Sequence, residues 1–285
     1  MDIFKVDGSK KISIKDMPTT PPIGLEDKKE NRAKLKENIK VMSELQNKLY
    51  AENDYSLLLV FQAMDAAGKD GMIKRVMTGL NPQGTQVFSF KRPSSEELDH
   101  DYMWRAHKVT PERGRVGIFN RSYYEDVLVV RVHNLLKARQ IPKVLLDENV
   151  WDNRLNDIKN FEDYMTSNGQ VTLKFFLHVS KEEQKNRFMD RINDPAKNWK
   201  FSSGDLEERK LWDDYMFCYE EAINKSATKD SPWYLIPADN KWYARNMVSQ
   251  IIVEKLNSLG LKYPEISEEE RAKLAECKQR LLDGE

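Results

Sequence analysis

Apolar residues along this chain fall into two alternating rhythms. Five short runs are almost continuously apolar: "SLLLVFQ" at 56–62, "QVFSF" at 86–90, "VGIF" at 116–119, "VTLKFFLHV" at 171–179 and "WYLIPA" at 233–238. Each has the length and the branched or aromatic content of a strand. Between them, apolar positions recur at the three-to-four-residue spacing of helices. Strands alternating with helices predict βαβ units, and so an α/β fold with a parallel sheet of about five strands flanked by helices.

The clearest helix is "DKKENRAKLKENIKVMSELQNKLY", 27–50, where Leu35, Ile39, Met42, Leu45 and Leu49 form one apolar stripe between charges. Other helix starts carry their own punctuation. Ser94 and Glu97 have capping-box spacing, Ser180 precedes "KEEQ", and Asp205 stands three residues before Glu208. Residues 1–26 lack either rhythm and contain "PTTPPIG", which predicts an extended arm over the domain surface rather than a core element. "SEEERAKLAECKQRLLDGE" at the other end reads as a peripheral polar helix. The expected organisation is an arm at 1–26, one domain at 27–260 and a tail at 261–285.

Composition narrows this picture. A chain of 285 residues buries an ordinary core as one α/β domain. Lys plus Arg and Asp plus Glu are 46 each, so any anion-binding surface must be local. Zero net charge without a basic, aromatic-interleaved module argues against nucleic acid. Cys218 and Cys277 lie far apart without metal-ligand spacing, and read as packing residues in a reducing compartment. The opening residues have no basic-then-apolar leader and no stretch has the length of a membrane span, so a soluble cytoplasmic protein is expected. The histidines at 100, 107, 133 and 178 show no zinc spacing.

Chemistry concentrates after the first strand, in "LLLVFQAMDAAGKDGMIKRVM", 57–77. The stretch nearly fits a phosphate-binding loop, but Ala63 holds the first Gly position and Asp70 the hydroxyl position. Small residues Ala66, Ala67 and Gly68 still let backbone N–H groups approach phosphate oxygens. A helix then presents its positive end, and Lys69 adds a charge. The second strand ends in Asn120 rather than an acid, so a metal-holding carboxylate must come from Asp65, Asp70 or the pair Glu125–Asp126. Mg²⁺ needs only one or two carboxylates beside phosphate oxygens and water, so Asp65 suffices, and Asp70 reads as a first-turn acid favoured by the helix dipole.

"FNRSYYEDVLVVRVH", 119–133, places Arg121 where strand turns to helix, aimed at the same mouth as Lys69. Tyr123 and Tyr124 suit packing better than base stacking. Lys91 and Arg92 end another strand, and Arg187 and Arg191 lie one turn apart before a loop with Lys197 and Lys200. A basic helix and loop in that place, about 187–212, is how a nucleotide kinase builds a lid over a transferred phosphoryl group. Such transfer needs positioning and charge more than a nucleophile–base pair, and no such pair is evident.

"FQAMDAAGKDG", "NPQGTQVFSFKRPSSEELDHDYMWRAH", "GIFNRSYYEDVLVVRVH", "LKFFLHVSKEEQKNRF", "NWKFSSGDLEERKLWDDY" and "SPWYLIPADNKWYARN", in this order from about 30 to 258, resemble the polyphosphate kinase 2 family. "FNRSYYE", with Asn120, resembles its class III members. The resemblance implies a three-layer P-loop kinase fold similar to thymidylate kinase, with a helical lid. It implies phosphoryl transfer from inorganic polyphosphate to AMP and ADP, with guanine nucleotides as a further acceptor class, aided by Mg²⁺ or Mn²⁺, in a homodimer or homotetramer. By the same resemblance Asp65 is the loop aspartate that binds metal, Lys69 the loop lysine and Arg121 the arginine after the second strand. Arg187 and Arg191 belong to the lid, and Glu125 and Asp126 lie where nucleotide acceptance is governed. A polyanionic donor gives a role to Lys69, Lys74, Arg75, Lys91, Arg92 and Lys200 as a channel. Two other readings stay open: an ATP-dependent nucleoside monophosphate kinase, and a non-catalytic phosphate-sensing module.

Overall fold

A computed structural model describes residues 2–136 and 141–284. In chain order its strands are β1 Lys5–Val6, β2 Ser56–Gln62, β3 Thr85–Ser89, β4 Val116–Asn120, β5 Gln170–His178 and β6 Trp233–Pro237. The helices are α1 Lys28–Glu52, α2 Lys69–Val76, α3 Ser95–Asp99, α4 Trp104–His107, α5 Val129–Val132, α6 Val150–Ser167, α7 Lys181–Asn193, α8 Gly204–Lys210, α9 Trp212–Ser226, α10 Lys241–Ser258 and α11 Glu268–Leu282. All five apolar runs are strands, in the spatial order β6-β5-β2-β4-β3 and mutually parallel. From central β2 the chain runs out to β3 on one side and later to β5 and β6 on the other. The carboxyl end of β2 therefore lies where strand order reverses, the place at which open α/β sheets form a crevice.

β2 and β5 are buried along their whole length, with Phe61 and Phe175 stacked 5.1 Å apart between them. Helix α1 starts on Asp27, whose carboxylate accepts from Glu30 N at 2.6 Å, and ends on Asn53 in the left-handed region. Its buried stripe of Leu35, Met42, Leu45 and Leu49 packs beside α10. Under β4 and β5 sits a polar cluster in the core. The Lys174 ammonium donates to Glu162 at 2.5 Å, to the Tyr124 hydroxyl at 3.2 Å and to Ser226 O at 2.9 Å, which uses all three of its protons. Glu162 also accepts from the hydroxyls of Tyr123, Tyr124 and Ser231. Both tyrosines are fully buried, so they pack and brace.

Three expectations need correction. The arm is not merely surface. β1 pairs antiparallel with β6, and Phe4, Val6 and Ile14 enter the core, because the short strand Lys5–Val6 covers an otherwise open sheet edge while its apolar neighbours turn inward. Asp205 does not cap α8: it lies in the first turn, and its carboxylate accepts from Ser202 N. Cys218 packs as expected, whereas Cys277 is exposed on α11. No residue of α11 is buried, so this helix adds nothing to the core. Among the described residues no helix is long and apolar enough to cross a membrane.

Candidate functional site

The loop leaving β2 is shaped before any ligand arrives. Ala66 sits at φ 59° and Gly68, the cap of α2, at φ 103°. Gly tolerates that conformation, whereas Ala is strained in it by about 1–2 kcal/mol. Arg121, one residue past β4, is also left-handed at φ 62°, with its backbone N–H still donating to Phe61 O at 3.0 Å. Two strained non-glycine residues facing each other across the mouth of the sheet mark a site whose geometry outranks backbone comfort.

Side chains converge there. Arg121 donates to Asp65 Oδ1 at 3.2 Å and pairs with Glu125 at 3.7 Å. The Lys69 ammonium donates to Ala63 O at 2.6 Å. Burial pushes its pKa down to about 8, with Arg121 adding to the shift and Asp65 and Glu125 opposing it. Burial also raises the carboxyl of Glu125, against the pull of Arg121 and Lys69. Asn120 donates to the Asp70 carboxylate at 2.8 Å, so the residue that replaces an acid at the end of β4 orients the acid that replaces a hydroxyl.

Arg187 is 5% exposed and serves as a brace. Its fork donates to Ala66 O at 3.1 Å and Ala67 O at 2.6 Å, and to Ala238 O at 2.6 Å and Asp239 O at 3.3 Å. Its Nε donates to Glu183 at 2.7 Å. One guanidinium thus ties the phosphate-type loop to the connection between β6 and α10, a task suited to a planar five-donor group. Arg191 is half-buried and donates to Lys200 O at 3.1 Å, which holds the loop after α7 against that helix.

These elements enclose a cleft of about 960 Å³. Its lining brings together Asp65, Ala66, Ala67, Gly68, Lys69, Asn120 and Arg121 with Lys91, Arg92, Arg187, Arg191 and Lys200. In all, ten lining residues are Lys or Arg against three Asp, in a chain of zero net charge. Glu125 lines an adjoining cavity of about 160 Å³ with Asp65, Arg121, Gln184, Glu208 and Tyr215. Asp126 is elsewhere: wholly buried, it lies 3.8 Å from both Arg105 and Arg154. Lys74 and Arg75 are exposed on α2 outside the lining.

Lys241 and Arg245 were not singled out from the sequence. They lie four apart on α10, both facing the cleft. Burial, Arg75 and Arg187 together lower the pKa of Arg245, and burial and Arg187 lower that of Lys241, as expected of crowded cations. The signal was present in "NKWYARN", a basic pair at helical spacing just after the last strand. Among the described residues no three His, Cys, Asp or Glu side chains form a metal cage. The oxygen-only set of Asp65 with substrate phosphates and water fits Mg²⁺, which seldom takes an all-protein shell.

The family model described as polyphosphate kinase 2 matches residues 25–263. An ADP-polyphosphate phosphotransferase of Rhodopseudomonas palustris is 48% identical over 281 residues, spanning 98% of this chain and 97% of the relative. An AMP/ADP-polyphosphate phosphotransferase of Meiothermus ruber is 48% identical over 224 residues, spanning 79% and 80%. The crystal structure of polyphosphate kinase 2 from Arthrobacter aurescens TC1 superposes with a TM-score of 0.86 at 38% identity, covering 96% of each chain.

Proposed function

This chain belongs to the polyphosphate kinase 2 family, transferases with a P-loop kinase fold that phosphorylate nucleotides from polyphosphate, and we propose that it carries the terminal phosphoryl of polyphosphate to AMP and then to ADP. The observation that carries this reading is the cleft, with its large local excess of cations in a neutral protein. Such an excess suits a polyanion better than a single nucleotide. In this reading the track of cations continues past the cleft to Arg75, exposed on α2.

The side chains divide the work by position. Lys69 and the backbone N–H groups at the start of α2 meet the donor's terminal phosphate, in the field of the helix N-terminus. Arg121 spans the gap between that phosphate and the acceptor, held ready by Asp65 and Glu125. The attacking atom is an acceptor phosphate oxygen, ionised at neutral pH, so no general base is required. Catalysis then rests on in-line positioning and on charge stabilisation. A divalent cation, Mg²⁺ or Mn²⁺, held by Asp65, would neutralise developing charge on the phosphate oxygens. Arg187 keeps the loop in its strained shape, and Arg191 fixes the lid loop that carries Lys200.

The decisive experiment is incubation of the protein with AMP, long-chain polyphosphate and Mg²⁺ in the absence of ATP, with nucleotides separated over time. ADP followed by ATP is the expected result. Failure with polyphosphate, but ADP formation when ATP is supplied as donor, would instead make the protein an ordinary nucleotide kinase.

A further inference from the structure

Gln184 is polar, 1% exposed, and used at both ends of its carboxamide. Its Nε2 donates to the backbone carbonyl of Asp65 at 2.9 Å, and its Oε1 accepts from Arg209 of α8 at 2.8 Å. The same Arg209 nitrogen donates to Lys181 O at 2.7 Å, which anchors the guanidinium against the start of α7. Next to Arg209, the Glu208 carboxylate accepts from the Tyr215 hydroxyl at 2.7 Å and meets His133 Nε2 at 3.0 Å, so α8 is seated on the body by consecutive residues.

The carbonyl that Gln184 grips belongs to the peptide joining Asp65 to Ala66, and Ala66 is the residue at φ 59°. Rotation of that peptide plane is the simplest way for Ala66 to relax. It would turn the Asp65 carbonyl and the Ala66 N–H together and free Asp65 from one of the two bonds, at carbonyl and carboxylate, that hold the residue. Gln184 opposes that rotation from the backbone side, while Arg121 holds the carboxylate at 3.2 Å from the other.

We propose that Gln184 is a positioning residue for phosphoryl transfer, coupling the seating of lid helix α8, through Arg209, to the orientation of the Asp65 carboxylate. The proposal deepens the phosphotransferase reading above and rests on it. Gln184 touches no reacting atom. Its effect is on turnover through Asp65 rather than on donor affinity, which the cationic cleft supplies.

The test compares Gln184→Met, Arg209→Met and the double variant with the unaltered protein, using polyphosphate and AMP. Readouts are kcat, KM for polyphosphate, calorimetric binding of polyphosphate without nucleotide, and the thermal midpoint. Both single variants should lose on the order of tenfold or more in kcat, with KM and polyphosphate binding within about twofold. The double variant should be no worse than the poorer single, because the two residues act as one chain. Gln184→Glu in its ionised form retains an acceptor for Arg209 but has no donor for the Asp65 carbonyl. Assayed at a pH where that carboxylate is ionised, it should leave kcat low, at some cost in thermal midpoint because a carboxylate then faces a buried carbonyl. Unchanged kcat in well-folded variants, additive losses, or full turnover in Gln184→Glu would each overturn the proposal. Should Gln184→Met fail to fold, half-buried Arg209→Met decides alone by the same split between kcat and KM. An unaltered protein that uses ATP and not polyphosphate would refute the donor reading instead, a result separate from any Gln184 effect.

Discussion

Replacing Arg187 with Lys keeps the positive charge and removes the fork. In the native protein that fork makes four bonds to backbone carbonyls of two separate loops and one to Glu183. A lysine ammonium in the same space reaches one loop and leaves carbonyls of the other buried without a donor. Hydrogen bonds to a charged group contribute about 1.5–3 kcal/mol each, but bonds made by one group are not independent. A total cost of about 3–5 kcal/mol follows, the range for breaking one side of a buried charged arrangement. For a chain of this size about 2 °C of midpoint is lost per kcal/mol, so thermal unfolding should fall by about 6–10 °C. Turnover should fall with it, because Ala66 and Ala67 lose the tether that holds the loop in shape. The checks are circular dichroism melts and kcat/KM for polyphosphate on the same preparations. A variant that melts like the native protein yet has lost kcat/KM would show Arg187 acting on the substrate, and the bracing role would be wrong.

Three further outcomes follow from other parts of the molecule. With Lys69 at about pKa 8 when free, a bound polyanion raises that value, so binding takes up a proton above pH 8 and affinity weakens as pH rises between about 8 and 10. Calorimetry in buffers of different ionisation enthalpy should detect this uptake, and Lys69→Arg should abolish it. Arg75→Gln should weaken binding of long polyphosphate while leaving tripolyphosphate nearly unchanged, because the proposed track continues to Arg75 outside the cleft; equal effects on both lengths would remove it from the track. Lys174→Met strands Glu162 in the core and should destabilise by about 3–5 kcal/mol in denaturant titration, with much of the loss recovered by adding Glu162→Gln.

The sheet was legible because its five parallel strands fall in short runs rich in branched and aromatic residues, set between longer stretches with helical spacing. β1 was not, since two residues give no periodicity and their pairing with β6 is set more than two hundred positions away. The loop from Asp65 to Lys69 and the facing Arg121 could be placed at one mouth from strand order alone. What sequence could not assign was direction. Arg187 was read as a lid cation, yet its guanidinium turns inward to carbonyls, and adjacent Glu125 and Asp126 point into different surroundings. Helical spacing gives a face, whereas hydrogen-bond partners depend on loops brought in from elsewhere in the chain. Gln184 escaped notice for a related reason: its partners, Asp65 and Arg209, are distant in sequence, and only the folded sheet brings them to one carboxamide.

The docking of β1 on β6 also orders events during synthesis. Lys5 and Val6 leave the ribosome more than two hundred residues before their partners Tyr234 and Trp233. Ile12 likewise waits for Asn224, 212 residues downstream. At about 5–20 residues per second, the arm is without its partner for roughly 10–45 s while the central strands are already available to assemble. Phe4, Val6 and Ile14, all buried in the finished fold, wait through that interval for the β6 edge on which the arm docks. The arm therefore acts as a late clasp: it can close only after β6 has emerged, and the edge it seals is the last stretch of sheet to be protected.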